Sequence, residues 1–211
     1  MVRRSSAFRR TALTFAAALA VTGLGLYGTA RLWGNSAGGS CSASSAIAAR
    51  LAPLAKGEMA AFQTGVRPLP DLGFHSPDGA PLTLASFEGR TVLLNLWATW
   101  CEPCKREMPA LDTLQGEFGG PLFEVAAVNM DTRNLDRPKA WLAEAKIGRL
   151  AYYTDHKTTI FKELRSLGEA EGLPTTVLVG PDGCKIGKLS GWAEWASDEG
   201  RALIRAALPE K

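Results

Sequence analysis

Thr91-Val92-Leu93-Leu94-Asn95-Leu96-Trp97-Ala98-Thr99-Trp100-Cys101-Glu102-Pro103-Cys104-Lys105-Arg106-Glu107-Met108-Pro109 is the stretch on which the reading of this chain turns. A run of β-forming apolar residues ends at Trp97. Two thiols follow, separated by Glu102 and Pro103, and an amphipathic helical pattern continues through Leu111 and Leu114. The pattern predicts strand, short turn and helix, with both cysteines at the helix start, a redox geometry. The thiolate is the form of cysteine that attacks a disulfide. Unpaired N–H groups at a helix N-terminus stabilise an anion there. Cys101 is therefore expected at the cap with its sulfur exposed, as the attacking thiol. Cys104, one turn further in, is expected to resolve the mixed disulfide. Pro103 falls in the first turn, where a missing N–H costs nothing.

The competing reading of such a pair is structural zinc, which needs four ligands, commonly as two pairs. The chain has no second Cys-x-x-Cys, and its two histidines, His75 and His156, show no ligand spacing. No metal and no cofactor are expected.

Around this stretch the chain reads as alternating strands and helices. Strands are expected at Leu72 to His75, Leu82 to Leu84, Thr91 to Trp97, Phe123 to Asn129, Leu150 to Thr154, Thr175 to Val179 and Cys184 to Leu189. Helices are expected from Cys101 to about Phe118, Arg137 to Ala145, Thr159 to Leu167 and Ser197 to Leu208. Strands alternating with helices, closed by a hairpin and a helix, give an α/β fold: a mixed sheet with helices on both faces.

Upstream, Arg3, Arg4, Arg9 and Arg10 precede twenty uncharged residues, Thr11 to Ala30. That length crosses a bilayer as a helix, and the arginines hold the N-terminus in the cytoplasm. Residues 1–10 are thus expected as a cytoplasmic end and 11–30 as a transmembrane anchor in a bacterial inner membrane, with the rest periplasmic. A cleaved signal peptide ending near Gly28-Thr29-Ala30 is the alternative. Residues 31–44 have linker composition. Residues 45–68 are expected as an N-terminal extension: a helix from Ser45, as its cap, to Phe62, with Ile47, Leu51, Leu54 and Phe62 as its buried stripe, then extended chain over Val66 to Asp71. The main domain is expected over 69–211. The net charge of +3 belongs to the N-terminal end: without Arg3, Arg4, Arg9, Arg10 and Arg31, 19 basic residues face 21 acidic ones, a net of −2. That balance gives no basis for nucleic acid binding.

The sequence Trp100-Cys101-Glu102-Pro103-Cys104-Lys105-Arg106-Glu107-Met108-Pro109 after an apolar strand resembles the thioredoxin superfamily. Within it, the stretch resembles the periplasmic membrane-anchored branch of TlpA-like thiol-disulfide interchange proteins, with ResA and CcmG relatives. The likeness runs from about Leu69 to Leu208. It implies a thioredoxin-like fold with a central strand-helix insert, near Asp131 to Thr154, and an additional N-terminal helix. It also implies that Pro174, between Leu173 and Thr175, is a cis-proline facing the cysteine pair, whose neighbouring backbone pairs with substrate. Thioredoxin keeps a buried Asp in the central strand. Asn95 stands there and cannot titrate, whereas Glu107 matches a Glu associated with the active centre of this branch, placed to exchange a proton with Cys104. Outside the cytoplasm the leftover Cys41 and Cys184 either pair or remain free thiols. The resemblance implies that they form a structural disulfide.

Glu102, between the cysteines, disfavours a thiolate at Cys101 and so favours a reducing couple. The implied activity is reduction of disulfides in exported proteins. By resemblance these are apoproteins of cytochrome and cytochrome oxidase assembly, with an upstream membrane thiol reductant as electron source. A copper-delivery protein of similar fold would space its cysteines Cys-x-x-x-Cys and add a metal-binding His. A peroxiredoxin-type peroxidase would need a Thr and Pro signature that Thr99 alone does not supply. An oxidase or isomerase is the alternative within the same class.

Overall fold

The computed structural model of the chain describes residues 40–209. The expected cytoplasmic end, the anchor at 11–30 and most of the linker lie outside the described residues. Among the described residues no helix is long and apolar enough to cross a membrane. The strands are β1 (Gln63–Pro68), β2 (Gly73–His75), β3 (Pro81–Thr83), β4 (Thr91–Trp97), β5 (Phe123–Asn129), β6 (Tyr153–Thr154), β7 (Thr175–Val179) and β8 (Cys184–Ser190). The helices are α1 (Ser42–Leu51), α2 (Glu102–Phe118), α3 (Arg137–Glu144), α4 (Thr159–Ser166) and α5 (Asp198–Ala207). The strands form one mixed sheet in the order β1-β8-β7-β4-β5-β6-β2-β3.

The unbroken apolar character of β4 follows from its place. It runs parallel to β5 over all seven residues and antiparallel to β7 on its other edge, and every one of its residues is buried. A strand covered on both faces by helices has no solvent side to mark with polar residues. Leu93, Leu94, Leu96 and Trp97 pack with Met108, Leu111 and Leu114 of α2 and Phe123 and Val125 of β5 in one core. Truncating any of these leucines to Ala would cost about 2–5 kcal/mol.

The N-terminal extension departs from expectation. Its helix starts at Ser42 and stops at Leu51, followed by 3-10 turns at Ala52–Leu54 and Gly57–Met59. Pro53, which has no N–H to donate, breaks it. Ser45 is not the cap. The cap comes from the β7–β8 turn: the Asp182 carboxylate accepts the backbone N–H of Ser44 at 3.0 Å and the Ser44 hydroxyl. Burial pushes the Asp182 carboxyl up, but these donations from Ser44 outweigh it and hold the group below its ordinary value. Gly180 permits the approach, because a Cβ there would collide with Ser44 Oγ. Cys41, immediately before α1, is joined to Cys184 at the start of β8.

The end of the extension, expected only as extended chain over Val66 to Asp71, is a strand of the sheet from Gln63. β1 pairs antiparallel with β8, Gln63 opposite Lys188 and Pro68 opposite Cys184. An edge strand tolerates the polar side chains and the proline that hide it in the sequence. β6 is shorter than the expected Leu150 to Thr154.

Candidate active site

Cys101 is the N-cap of α2, and its sulfur accepts the Cys104 N–H at 3.3 Å. The two sulfurs are joined in a disulfide. The expectation of an exposed Cys101 sulfur is corrected: in the disulfide form the residue is only 5% exposed, because its sulfur turns back onto the first turn of the helix. The preceding Trp100 takes the exposed position instead, at 68%. Glu102 and Pro103 face solvent between the cysteines.

The opposite wall comes from β7. Leu96 near the end of β4 lies opposite Thr175 at the start of β7, so the Leu173–Pro174 peptide stands at the same end of the sheet as the cysteines. That peptide is cis. Thr175 Oγ1 donates to Gly172 O at 2.6 Å, and Gly191 N–H donates to Pro174 O at 3.0 Å. The first bond closes the proline turn on itself, and the second ties it to the connection between β8 and α5.

Glu107, one turn beyond Cys104, is 1% exposed. Its Oε1 accepts from Asn95 Nδ2 at 2.7 Å and its Oε2 from the Ala193 N–H at 3.1 Å. Asn95 Nδ2 also donates to Thr176 Oγ1 at 2.9 Å. Burial pushes the Glu107 carboxyl up to about 8, against the downward pull of these donors and of the nearby Trp195. The Trp195 indole N–H itself stays outside hydrogen-bond geometry. The buried titratable group of this region is thus on α2, and Asn95 of β4 is one of its donors.

Asp131 completes the site and was not among the expected residues. Its carboxylate accepts the Thr99 N–H and hydroxyl, both at 2.8 Å, and Asn129 Nδ2 at 2.8 Å. Met130 N–H also donates to Trp97 O at 2.8 Å. The loop that delivers Cys101 is thus pinned from β5. The only trace of this in the sequence is the pair Asn129 and Asp131, polar residues ending a buried strand.

Lys105 Nζ lies 2.6 Å from the Glu102 carboxylate, so the charge is answered locally. Among the described residues no three His, Cys, Asp or Glu side chains converge as a metal-ligand set.

A mixed sheet that carries a dithiol at the start of the helix after its central strand, beside a proline turn, defines a thioredoxin-like redox protein. The chain belongs to the AhpC/TSA family, whose model matches residues 66–186, more than half of its length. Among curated relatives it is 34% identical over 109 residues to the thiol-disulfide oxidoreductase ResA of Oceanobacillus iheyensis, covering 50% of this chain and 52% of that one. It is 47% identical over 57 residues to the thioredoxin-like protein YneN of Bacillus subtilis, 27% of this chain and 34% of that one. The chain thus spans a third to about half of the length of these relatives. Among solved structures, a protein assigned as the thiol:disulfide interchange protein DsbE of Chlorobium tepidum superposes with a TM-score of 0.57 at 26% identity, over 69% of this chain and 96% of that one. A secreted thiol-disulfide isomerase of Corynebacterium glutamicum shares the fold, with a TM-score of 0.57 at 23% identity, over 71% of this chain and 90% of that one.

Proposed function

We propose that the protein is a thiol-disulfide oxidoreductase that reduces disulfides in exported proteins from the outer face of a bacterial inner membrane. The observation that carries this reading is the Cys101–Cys104 pair at the N-terminus of α2 with the buried carboxyl of Glu107 one turn below it.

In the reducing cycle the Cys101 thiolate attacks a substrate disulfide, forming a mixed disulfide and releasing one substrate thiolate. Cys104 passes its proton to Glu107 in the fraction of molecules where that carboxyl, raised to about 8, is ionised, and attacks the Cys101 sulfur. The second substrate thiolate leaves, and the Cys101–Cys104 disulfide forms with two electrons now on the substrate. Regeneration runs the exchange with an upstream dithiol. Its first thiolate attacks Cys101, Cys104 departs and takes the proton back from Glu107, and the donor's second thiol then displaces Cys101 as the thiolate, leaving the donor as a disulfide. Burial raises the Glu107 carboxyl to about 8, near the operating pH, where one group can both give and take a proton.

The finer assignments rest on resemblance. The targets are apoproteins of cytochrome or cytochrome oxidase assembly, the donor is a membrane thiol reductant, and the anchor is residues 11–30. Pro174, with Leu173 and Thr175, presents backbone to the substrate beside Cys101. The test is capture. A Cys104→Ser variant is expected to accumulate mixed disulfide with a disulfide-bearing apoprotein, and Cys101→Ser to trap nothing and reduce nothing. Capture by the Cys101→Ser protein instead would exchange the two roles. A potential of the pair near ≈ −120 mV would make the protein an oxidant, and one near ≈ −270 mV supports the reductant.

A further inference from the structure

Two charged residues of α2 follow the cysteine pair, and only one of them has an internal partner. Lys105 is paired with Glu102. Arg106 makes no ion pair with any described residue, and its guanidinium carbon sits 3.7 Å from the centre of the Trp192 ring. A guanidinium held over a ring is pre-organised and keeps its N–H donors free for a carboxylate, at little further loss of side-chain freedom.

Arg106 and Trp192 line a cleft of about 500 Å³ whose remaining walls are Glu102, Pro103, Lys105 and Trp141. Two of those residues are the ones between the cysteines, so the cleft opens directly beside the pair. On its other side Trp192 follows Gly191, whose N–H is bonded to Pro174 O. Trp192 is 38% exposed, one of four large apolar side chains exposed among the described residues, and Trp100 beside Cys101 is another. The cleft therefore combines aromatic surface with one cation lacking a counter-charge, since Lys105 and Glu102 answer each other.

From this arrangement we infer that the cleft receives an acidic segment of the protein substrate, an Asp or Glu close in sequence to the cysteine under attack, with its carboxylate on Arg106 and a neighbouring apolar side chain on Trp192. The inference rests on the exchange reaction at Cys101 and names the kind of substrate that the reaction selects. Binding energy placed beside the attacking sulfur orients the substrate disulfide along the axis of Cys101.

The test uses the reduced full-length protein and a series of disulfide peptides, identical except that the residue next to one cysteine is Asp, Ala or Lys. KM is expected to be about two- to fivefold lower for the Asp peptide than for the Ala peptide, and highest for the Lys peptide, a range set by a partly exposed charge contact. The preference should shrink at high salt. Arg106→Gln should bring the Asp-to-Ala ratio close to one. Arg106→Glu should invert the order in favour of Lys, a reversal that a misfolded protein could not show. Equal KM values for the three peptides, or an Asp preference that survives Arg106→Gln, would overturn the inference while leaving the exchange reaction standing. Failure of the wild-type protein to reduce any peptide would overturn both.

Discussion

The molecule carries two disulfides at opposite ends of one sheet, and their surroundings differ in the one property that governs exchange. Cys101 and Cys104 are three residues apart, and Cys41 and Cys184 are 143 apart. Beneath the first pair lies Glu107, which burial keeps protonated up to about pH 8 and which therefore places no charge against a departing thiolate at neutral pH. Beside the second lies Asp182, whose carboxyl is held ionised below its ordinary range by Ser44. It also accepts the Cys184 N–H at 3.4 Å. A thiolate forming at Cys184 would face that negative charge. A reactive disulfide thus needs a helix N-terminus on one side and a neutral proton donor on the other. What sets the staple apart is the fixed carboxylate beside it and not burial, since Cys184 is 3% exposed and Cys101 only 5%.

The sharpest break in this comparison comes from removing the staple. Cys41→Ser with Cys184→Ser is expected to cost up to about 5 kcal/mol by chain entropy. That lowers the melting temperature by roughly 10–20 °C and leaves disulfide reduction in place, as calorimetry and a peptide-reduction assay on the same sample would show. Loss of reduction below the melting point would mean that the two ends are coupled.

The next effect is on protons. Glu107→Gln is expected to slow reduction of the Cys101–Cys104 pair by a small dithiol about 100-fold at neutral pH, the scale of one positioned acid. Stability supplies an independent readout. The folded pKa of about 8 lies above the unfolded 4.5, so the folded protein holds the extra proton between those values. Its stability is full below about 4.5 and declines as pH rises to about 8. Denaturation curves of the oxidised protein should show that decline in the wild type and a flatter profile in Glu107→Gln. An unchanged profile would remove Glu107 from the proton path.

A smaller loss is expected at the staple end. Asp182→Ala removes the distant cap of α1 and should cost about 1 kcal/mol. Because the folded pKa of Asp182 is depressed, its contribution is present above the unfolded value and lost as pH falls through the folded one. The wild-type and variant curves should therefore converge in acid. The smallest effect falls on Glu102. Glu102→His should make the couple more oxidising, but by less than the 30 mV that corresponds to about 1.4 kcal/mol, since Lys105 already answers the carboxylate. A larger shift against a glutathione buffer would show that Glu102 acts on Cys101 despite its partner.

What was legible in the sequence was what neighbouring residues decide. β4 and α2 stand where the apolar run and the helical spacing put them, because one is covered on both faces and the other has a single buried stripe. Glu107 lies under the pair because three residues along a helix return to the same face. The features that escaped are settled by contacts between distant segments. The cap of α1 lies 138 residues away in Asp182, and the clamp on Thr99 lies 32 residues away in Asp131. β1 was invisible because an edge strand of polar residues has no alternation to read.

The position of the staple also fixes a polarity. Val92 at the start of β4 lies opposite Val179, which in turn pairs with Lys185, so Cys184 sits at the pole of the sheet where β4 begins. Cys101 emerges at the pole where β4 ends, about 20 Å away at the rise of a seven-residue strand. The described chain therefore starts at one pole and does its chemistry at the other. A pull applied through residue 40 passes across the Cys41–Cys184 bond into the β7–β8 hairpin, by-passing the ten residues of α1. Load entering at residue 40 therefore meets the β7–β8 hairpin at the pole of the sheet away from Cys101.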